Sequence, residues 1–462
     1  MLRLTSTQRD FWDHLLPVDA RVLSPQLEAV DALLDDERFL APFRARFPSR
    51  RGRFTIPMET YLRLMYLKKK YDLGYESLVQ EVTDSVSWRR FCRISLSATV
   101  PDASTLIKLT NGPCQGVAEE IHDALVKELA RRKILRGRKL RVDTTVVEAE
   151  MRYPTDAGLL ADGVRVITRT IKHLAKAGAE SARGFRNVSR SVHRRLGAIG
   201  RGLKQEDGEK KQATRAEMTK EILDITGRMV KRAEGVLERV AQTVADQGEA
   251  APRAIRRRLQ QLMTWVERTK RVMEQTKQVL SGNVHIKNRL VSLFDPDARP
   301  IRKGKLKAPT EFGYKALVAD EERGFVTDYE VSEGNPEDSR LLVPSVKRHL
   351  ARVGKPPVGI AVDRGMASAK ADTEIEQLGV PHRCLPKNGK KTDAEWAKER
   401  SSWFRRLRAF RAGGEGRISL LKRKYGWRRS RVRGLARTTE WVGWGVVAHN
   451  LSKYAQMQAA KA

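Results

Sequence analysis

Apolar residues recur at helical spacing through the first part of the chain, as in PMETYLRLMYLKKKYDLGYESLVQEV. This period of three to four residues, broken by turn signals at Gly74 and Pro101, predicts several short helices. We therefore expect an all-α N-terminal domain over residues 1–135. Two interpretations of it are equally supported: a helix-turn-helix that binds DNA, and a helical module for dimerisation or packing.

The pattern changes at Lys139, where KLRVDTTVVEAE is short and rich in β-branched residues, which predicts a strand. From about residue 157 to 280 the chain is rich in Lys, Arg, Glu, Gln and Ala, with apolar residues again at helical intervals. We predict a helical insertion over 157–283. Such a stripe is most typical of packed helices, although its basic face is also suited to DNA.

Strand patterns return in NRLVSLFD, and then in YKALVAD and FVTDYEVSEG, which EERG separates as in a hairpin. A helix is predicted over 337–353, followed by the apolar strand PVGIAVD, a second helix and the short strand VPHRCLP. This order predicts an α/β fold class with a mixed sheet. The corresponding domain comprises residues 136–156 and 284–455, interrupted by the helical insertion.

The charge of the chain indicates a polyanionic partner. Lys and Arg number 90 against 56 Asp and Glu among 462 residues, a formal net charge of +34. Nucleic acid fits this excess best, because cations along a long path release condensed counterions from phosphates. No apolar run approaches the roughly 20 residues that span a bilayer, and the first residues lack a signal-peptide pattern. We expect no membrane partner and a cytoplasmic location.

Two aspartates occupy strand positions where a charge is costly unless it is paired or binds metal. Asp143 lies inside RVDTTVV, and Asp363 ends GIAVD, at the edge where open α/β sheets present ligands. The structural alternatives are an ion pair of Asp143 with Arg141 or a helix arginine, and a helix cap at Asp363. Two such acids on one predicted sheet in a basic chain favour a metal site. Zinc is not expected, because the three cysteines form no CxxC pair.

Glu415 is the sole acid between Ser401 and Gly434, a strongly basic segment. A segment of this kind should face phosphate, and one carboxylate inside it either reduces local repulsion or brings metal to the bound backbone. Rival candidates for a third metal ligand stand on the preceding predicted helix: Asp393, Glu395 and Glu399.

Several segments resemble the bacterial insertion-sequence transposases with a DDE triad on an RNase H-like fold, and are similar to the insertion-sequence four/five superfamily. They are VDTTVVEAEMRYPTD, GKLKAPTEFGYK, AVDRGMAS, RAGGEGRISLLKRKYGWRRSRVRG and AHNLSKY. Related transposases carry a Tyr-x2-Arg-x3-Glu-x6-Lys signature, whose last three positions fit Arg411, Glu415 and Lys422. Arg408 stands in the tyrosine position. Gly413 and Gly414 make a turn just before Glu415 an alternative to a continuous helix.

The resemblance implies cleavage at transposon ends and joining of the freed 3′-hydroxyl to target DNA. Asp143, Asp363 and Glu415 would hold two Mg²⁺ ions per active site, with Mn²⁺ as a substitute. The implied partners are double-stranded DNA, as terminal inverted repeats and target, and further copies of the chain in a homodimer or larger assembly on DNA. The implied location is the bacterial nucleoid. Predicted DNA contacts are Arg408, Arg411, Arg417, Lys422, Arg423, Lys424, Arg428, Arg429, Lys305 and Lys307.

Two other functions also fit parts of the sequence. A structure-specific nuclease of the same fold would cut without joining, and a non-enzymatic helix-turn-helix protein would account for the charge alone. Trp396, Trp403, Phe404 and Trp427 interleave with arginines; core packing is favoured over stacking on unpaired bases. His449 and Asn450 are expected to belong to a packed helix end.

Overall fold

The structure is a computed structural model that describes residues 1–3, 17, 22–47, 54–205, 208–302, 310–386 and 389–461; the side chains of 202–205 and 209 are not described. It divides into two compact units: unit 1 is Met1–Glu150 with Ile301–Ala462, and unit 2 is Met151–Pro300. Within the described chain, no helix combines the length and apolar character that crossing a membrane requires.

Unit 1 begins with short helices, as the apolar spacing predicts. Their bounds are α1 Pro25–Leu34, α2 Ala41–Arg46, α3 Met58–Lys70, α4 Tyr75–Asp84, α5 Val86–Phe91, α6 Ala103–Asn111 and α7 Val117–Arg131. Helix α3 is buried along almost its whole length, so these helices form a core with the rest of unit 1. The last helix, α17 Leu435–Ala459, packs against α1, α3 and α7 and against the sheet.

Six strands of the described chain form one sheet, most of which belongs to unit 1. They are β1 Lys139–Glu148, β2 Arg299–Arg302, β3 Thr310–Glu321, β4 Val326–Ser332, β5 Gly359–Val362 and β6 His382–Cys384. The strand order is β2-β3-β1-β5-β6, and β4 pairs with β3. Strand β1 is antiparallel to β3 and parallel to β5, which makes β1 central. A polar residue on β1 therefore has a neighbouring strand on each side, β3 on one and β5 on the other.

Helices cover both faces of the sheet. On one face, Leu140, Val142, Leu317 and Ile360 pack with apolar residues of α12 Asp338–Val353 and α13 Ala369–Gln377. On the other, Phe404 and Leu407 of α15 Ser402–Ala412 pack on Ala361 and Cys384. Helices α14 Asp393–Arg400 and α16 Gly414–Lys424 precede and follow α15. Strand β5 is buried throughout because both faces are covered.

Unit 2 is built from helices α8 Asp156–Lys176, α9 Ser189–Gln205, α10 Gly208–Gln247 and α11 Arg253–Leu280. Their apolar faces share one core that includes Leu160, Ile167, Ile222, Met229 and Leu262. The predicted α/β class, with a long helical insertion after its first strand and an all-α N-terminal region, is confirmed.

One predicted strand is absent. The segment NRLVSLFD has no strand structure, and two of its residues, Leu290 and Leu293, pack into the core of unit 2. The side chain of Gln275 on α11 bonds both the amide and the carbonyl of Leu290, at 2.7 and 3.2 Å. A helix side chain thus satisfies the backbone that a neighbouring strand would otherwise pair.

Candidate active site

Asp143 and Asp363 lie side by side, each directly after the last paired residue of two adjacent parallel strands. The pairing of β1 with β5 ends at Val142 and Val362, so the next residue of each strand is an aspartate. Paired residues of neighbouring strands lie about 5 Å apart and point to the same face. The sequence predicts each aspartate separately, and the strand register brings them together.

The two aspartates differ in environment. Asp143 is half-buried within β1, and its Oδ1 accepts a hydrogen bond from the Thr144 amide at 2.7 Å. Asp363 follows the last residue of β5, and 58% of its side chain is exposed. One carboxylate is therefore held by the sheet, while the other stands at its open edge.

Glu415 lies in the first turn of α16. Helix α15 ends at Ala412 and α16 begins at Gly414, so of the two alternatives the turn just before Glu415 is present and the continuous helix is not. A Cβ on Gly414 would lie 3.5 Å from Oδ2 of Asp143, which means that the start of α16 rests directly on this carboxylate. The amino-terminal end of a helix carries partial positive charge, which favours the carboxylate there.

Arg411 is at the end of α15 and contacts the second aspartate. Its Nη1 lies 3.3 Å from Oδ1 of Asp363. The interruption at Gly413 separates Arg411 from Glu415, so Arg411 lies on α15 while Glu415 and Lys422 lie on α16. Glu415 and Lys422 share α16, seven residues apart and therefore on one side of it.

Most other predicted DNA contacts are exposed: Arg408, Arg423, Lys424, Arg428 and Arg429. Arg417 instead points into the protein, with 13% of its side chain exposed and Nε 3.1 Å from Oδ2 of Asp320. Lys305 and Lys307 lie outside the described residues.

The rival carboxylates on α14 have structural partners. Glu395 forms a capping box with Thr392, whose amide donates to Glu395 Oε2 at 2.8 Å. Glu399 pairs with Lys391 at 2.7 Å, and both side chains are nearly buried. Asp393 is exposed in the first turn of the same helix. Glu415, in contrast, adjoins Asp143 through Gly414.

The aromatic residues near the basic segment have two kinds of environment. Phe404 and Trp427 are core side chains, and Trp427 donates to the Val442 carbonyl at 3.2 Å. Trp403 stacks on His382, with ring centroids 4.8 Å apart. Trp396 is 46% exposed between Lys391 and Arg400. Core packing therefore accounts for Phe404 and Trp427, but not for Trp396.

His449 and Asn450 are buried in α17. Asn450 exchanges two hydrogen bonds with the backbone of Val326, at 2.8 and 2.9 Å, and so fixes the start of β4. Burial and then the charge of Arg417 lower the pKa of His449 to about 3, which keeps its ring neutral. These contacts are those of packed residues, but they lie within α17, which continues to Ala459, and not at the helix end that the sequence predicts.

The chemistry of the donor set suits a hard divalent cation. Asp143, Asp363 and Glu415 would offer carboxylate oxygens, the ligands that Mg²⁺ prefers. Within the part of the chain that the structure describes, no three His, Cys, Asp or Glu side chains are spaced to hold a metal ion. The two aspartates and the start of α16 meet on the sheet, but their carboxylates are not gathered into a closed ligand set.

Comparison with known families adds independent support. Residues 13–111 match the family described as Transposase domain (DUF772), and residues 287–451 match the family described as Transposase DDE domain. Asp363 and Glu415 lie inside the DDE match, while Asp143 lies between the two matched segments. No curated protein and no solved structure matches the chain significantly. The two family matches together include more than half of the residues, and the chain belongs to the insertion-sequence transposases with a DDE domain.

Proposed function

We propose that this transposase hydrolyses DNA at the ends of its element and joins each freed 3′-hydroxyl to target DNA, with two divalent metal ions held by Asp143, Asp363 and Glu415. The observation that carries this proposal is the in-register placement of the two aspartates with the start of α16 on Asp143. Mg²⁺ is the proposed ion, and Mn²⁺ its substitute.

Each chemical step breaks one phosphodiester bond, and the second step also forms one. In the first, a water oxygen bonds to phosphorus while the bond to the 3′-oxygen breaks, and that oxygen takes a proton. In the second, the 3′-hydroxyl loses its proton and attacks a target phosphate, releasing another 3′-hydroxyl. Asp143, Asp363 and Glu415 would hold the divalent ions, which would lower the pKa of the attacking group and stabilise the leaving oxygen.

The protein positions the reacting phosphate. Arg411 stands beside Asp363, where its guanidinium can bind a phosphate oxygen with paired hydrogen bonds. Lys422 and the exposed cations of the basic segment extend this positive surface along the DNA backbone. The contribution assigned to these side chains is alignment of the backbone, and the contribution assigned to the carboxylates is metal binding.

The assembly that we propose contains at least two copies of the chain on DNA, because two element ends must reach one target. Residues 1–135 and the insertion 157–283 are the proposed sites of DNA binding and dimerisation. Residues 136–156 and 284–455 form the proposed catalytic domain, which would act on the bacterial nucleoid.

The test uses purified protein, DNA with native element ends, and Mg²⁺ or Mn²⁺. Asp143→Asn, Asp363→Asn and Glu415→Gln should each bind DNA within about threefold of wild type and lose cleavage by about 1,000-fold, because each removes one metal-binding charge. Asp393→Asn changes an exposed acid on α14, before the basic segment, and should cleave normally; loss of cleavage in this variant would instead support a third ligand on α14. Cleavage is followed on end-labelled DNA.

The outcomes separate the alternatives. Normal cleavage by the Asp143 variant would overturn the mechanism. A Glu415 variant that cuts normally, beside a Glu395→Gln or Glu399→Gln variant that does not, would move the third ligand to α14. Cleavage without joined products would identify a nuclease, and binding without metal-dependent cleavage would identify a regulator.

A further inference from the structure

Asp320 lies on β3 directly opposite Arg141 of β1 and is almost completely buried. Its two oxygens accept hydrogen bonds from Nε and Nη2 of Arg141, both at 2.7 Å. Oδ2 also accepts one from Nε of Arg417 at 3.1 Å. One buried carboxylate thus binds two guanidinium groups, and we name these three residues the Asp320 cluster.

Arg141 connects this cluster to the end of α15. Its Nη1 donates to the Phe410 carbonyl at 2.8 Å, and its guanidinium lies 4.8 Å from the centre of the Phe410 ring. A Cβ on Gly413 would lie only 2.5 Å from the same Nη1. The helix can therefore end against Arg141 only because position 413 lacks a side chain.

Arg417 connects the cluster to α16, two residues after Glu415. Its guanidinium passes against Gly324 in the β3–β4 turn, where any Cβ would collide with Nη2. Its Nη1 lies 3.1 Å from Nε2 of His449, and this ring nitrogen lies equally close to the Gly324 carbonyl. Arg417 is thus held by a strand, a turn and α17.

These contacts hold the turn at Gly413 and Gly414 from both sides. Before the turn, Arg141 donates to the carbonyl of Phe410, three residues ahead of Gly413. After the turn, Arg417, three residues beyond Gly414, donates to Asp320. Glu415 lies between the two attachments. Both arginines depend on Asp320, because it accepts hydrogen bonds from each of them in the protein interior.

We propose that Asp320 is a positioning residue that, through Arg141 and Arg417, fixes Glu415 beside Asp143. This inference rests on the proposed function, since it assumes that Glu415 is a metal ligand. Loss of Asp320 releases the start of α16 and leaves two cations facing each other. A displacement of the order of 1 Å at a reacting centre is enough to lower a rate by about 100-fold.

Asp328 provides a matched control within the same sheet. It is a fully buried aspartate on β4, and it also binds two arginines, Arg348 at 2.8 Å and Arg352 at 2.5 Å. Both arginines belong to α12 and not to α15 or α16. Asp328→Asn therefore removes a buried carboxylate charge that pairs with two arginines, as Asp320→Asn does, but it does not release the turn before Glu415.

The experiment compares both variants with wild type at a temperature at which all three are folded by circular dichroism. Asp320→Asn should keep DNA binding within about threefold, lose cleavage about 100-fold, and bind Mn²⁺ about tenfold more weakly by electron paramagnetic resonance. Asp328→Asn should change cleavage and Mn²⁺ binding by less than about threefold. Equal losses in the two variants, or normal cleavage and Mn²⁺ binding in Asp320→Asn, would overturn the proposal.

A second pair of variants covers the case in which Asp320→Asn does not fold. Arg417→Lys keeps the positive charge and one donor to Asp320, whereas Arg417→Met keeps neither. Lysine should restore cleavage about tenfold relative to methionine, and equal rates in the two would contradict the positioning role. If Asp143→Asn and Glu415→Gln cleave normally, the proposed function itself fails; if they are inactive and Asp320→Asn is normal, only the positioning role fails.

Discussion

Glu440 of α17 is a buried carboxylate that supports the first turn of α7. It accepts hydrogen bonds from the amides of Gly116 at 2.8 Å and Ala118 at 3.2 Å, groups that have no partner within their own helix. Burial raises the pKa of Glu440 from 4.5 to about 7, against the opposing effect of these two bonds. Its charge state therefore changes near neutral pH.

The raised pKa predicts a pH-dependent stability. The unfolded chain releases this proton near pH 4.5 while the folded protein keeps it to about pH 7, so stability falls as pH rises through this window. Glu440→Gln has no such proton to lose. The stability of the variant relative to wild type should therefore rise by about 2 kcal/mol between pH 5 and pH 8.

Urea denaturation at the two pH values measures this difference. Glu119→Gln is the control, because it changes an exposed acid in the first turn of α7, the turn that Glu440 supports. Its stability relative to wild type should change by less than about 0.5 kcal/mol between the two pH values. A Glu440 variant whose advantage over wild type is the same at pH 5 and pH 8 would contradict the burial effect.

The local sequence pattern identifies some candidate residues but does not predict the direction in which a side chain points. Asp143 and Asp363 could be proposed as metal ligands from the sequence because a charge in an apolar strand stands out locally. Arg417 could not be distinguished from its exposed neighbours, because its partner Asp320 lies 97 positions earlier in the chain. Asp320 ends the apolar run YKALVAD just as Asp363 ends GIAVD, so the local pattern does not separate a buried partner of arginines from a candidate metal ligand. The direction of a side chain in a basic segment depends on tertiary contacts.

At the scale of elements, the break between α15 and α16 determines where Glu415 stands. Gly413 has helical backbone angles, so its requirement for glycine comes from the approach of Arg141 and not from its conformation. Gly416, on the same helix, is exposed and has no atom within 4 Å of its Cβ position. The two glycines therefore make a matched pair.

Alanine at these positions should have opposite effects. Gly413→Ala places a methyl group against a fixed guanidinium and should cost about 1–3 kcal/mol of unfolding free energy. Gly416→Ala should add about 0.5–1 kcal/mol, because alanine loses less backbone entropy in a helix. Thermal or urea denaturation of both proteins measures the two effects, and a Gly413 variant as stable as wild type would show that Arg141 can move aside.

The helices and strands that have a local sequence pattern were predicted correctly. The EERG hairpin, the helix over 337–353 and the strand ending at Asp363 are present as β3–β4, α12 and β5. NRLVSLFD was wrongly predicted as a strand because its apolar residues have the spacing of one, while Gln275 and the core of unit 2 determine its conformation. A short apolar run does not reveal its packing partner.

For the whole molecule, the net charge of +34 should make DNA binding strongly dependent on salt. Arg428 is exposed, and its carbonyl accepts a hydrogen bond from the Glu148 amide, which places it at the carboxyl end of β1. Lys127 is also exposed, but it pairs with Asp123 on α7. Substitution of these two residues tests whether bound DNA lies along the predicted basic segment.

Arg428→Ala should lower the slope of log affinity against log salt by about one, because one phosphate contact is lost. Lys127→Ala should change this slope by less than about 0.3, as expected for a cation that makes no phosphate contact. Fluorescence anisotropy on labelled element-end DNA, at several salt concentrations, measures both. An unchanged slope for Arg428→Ala would place the DNA path elsewhere.

The central position of β1 also determines when during synthesis the sheet can form. Asp143 precedes Asp363 by 220 residues, and both partners of β1 come after unit 2 in the chain. At about 5–20 residues per second, a ribosome needs on the order of 10–40 s to make that interval. The helices of unit 2, whose contacts are local, can fold while β1 still lacks its neighbours. With the proposed site, a nascent chain could not cut DNA until its ribosome had passed Glu415 on α16, so the order of translation would delay the proposed activity until most of the protein exists.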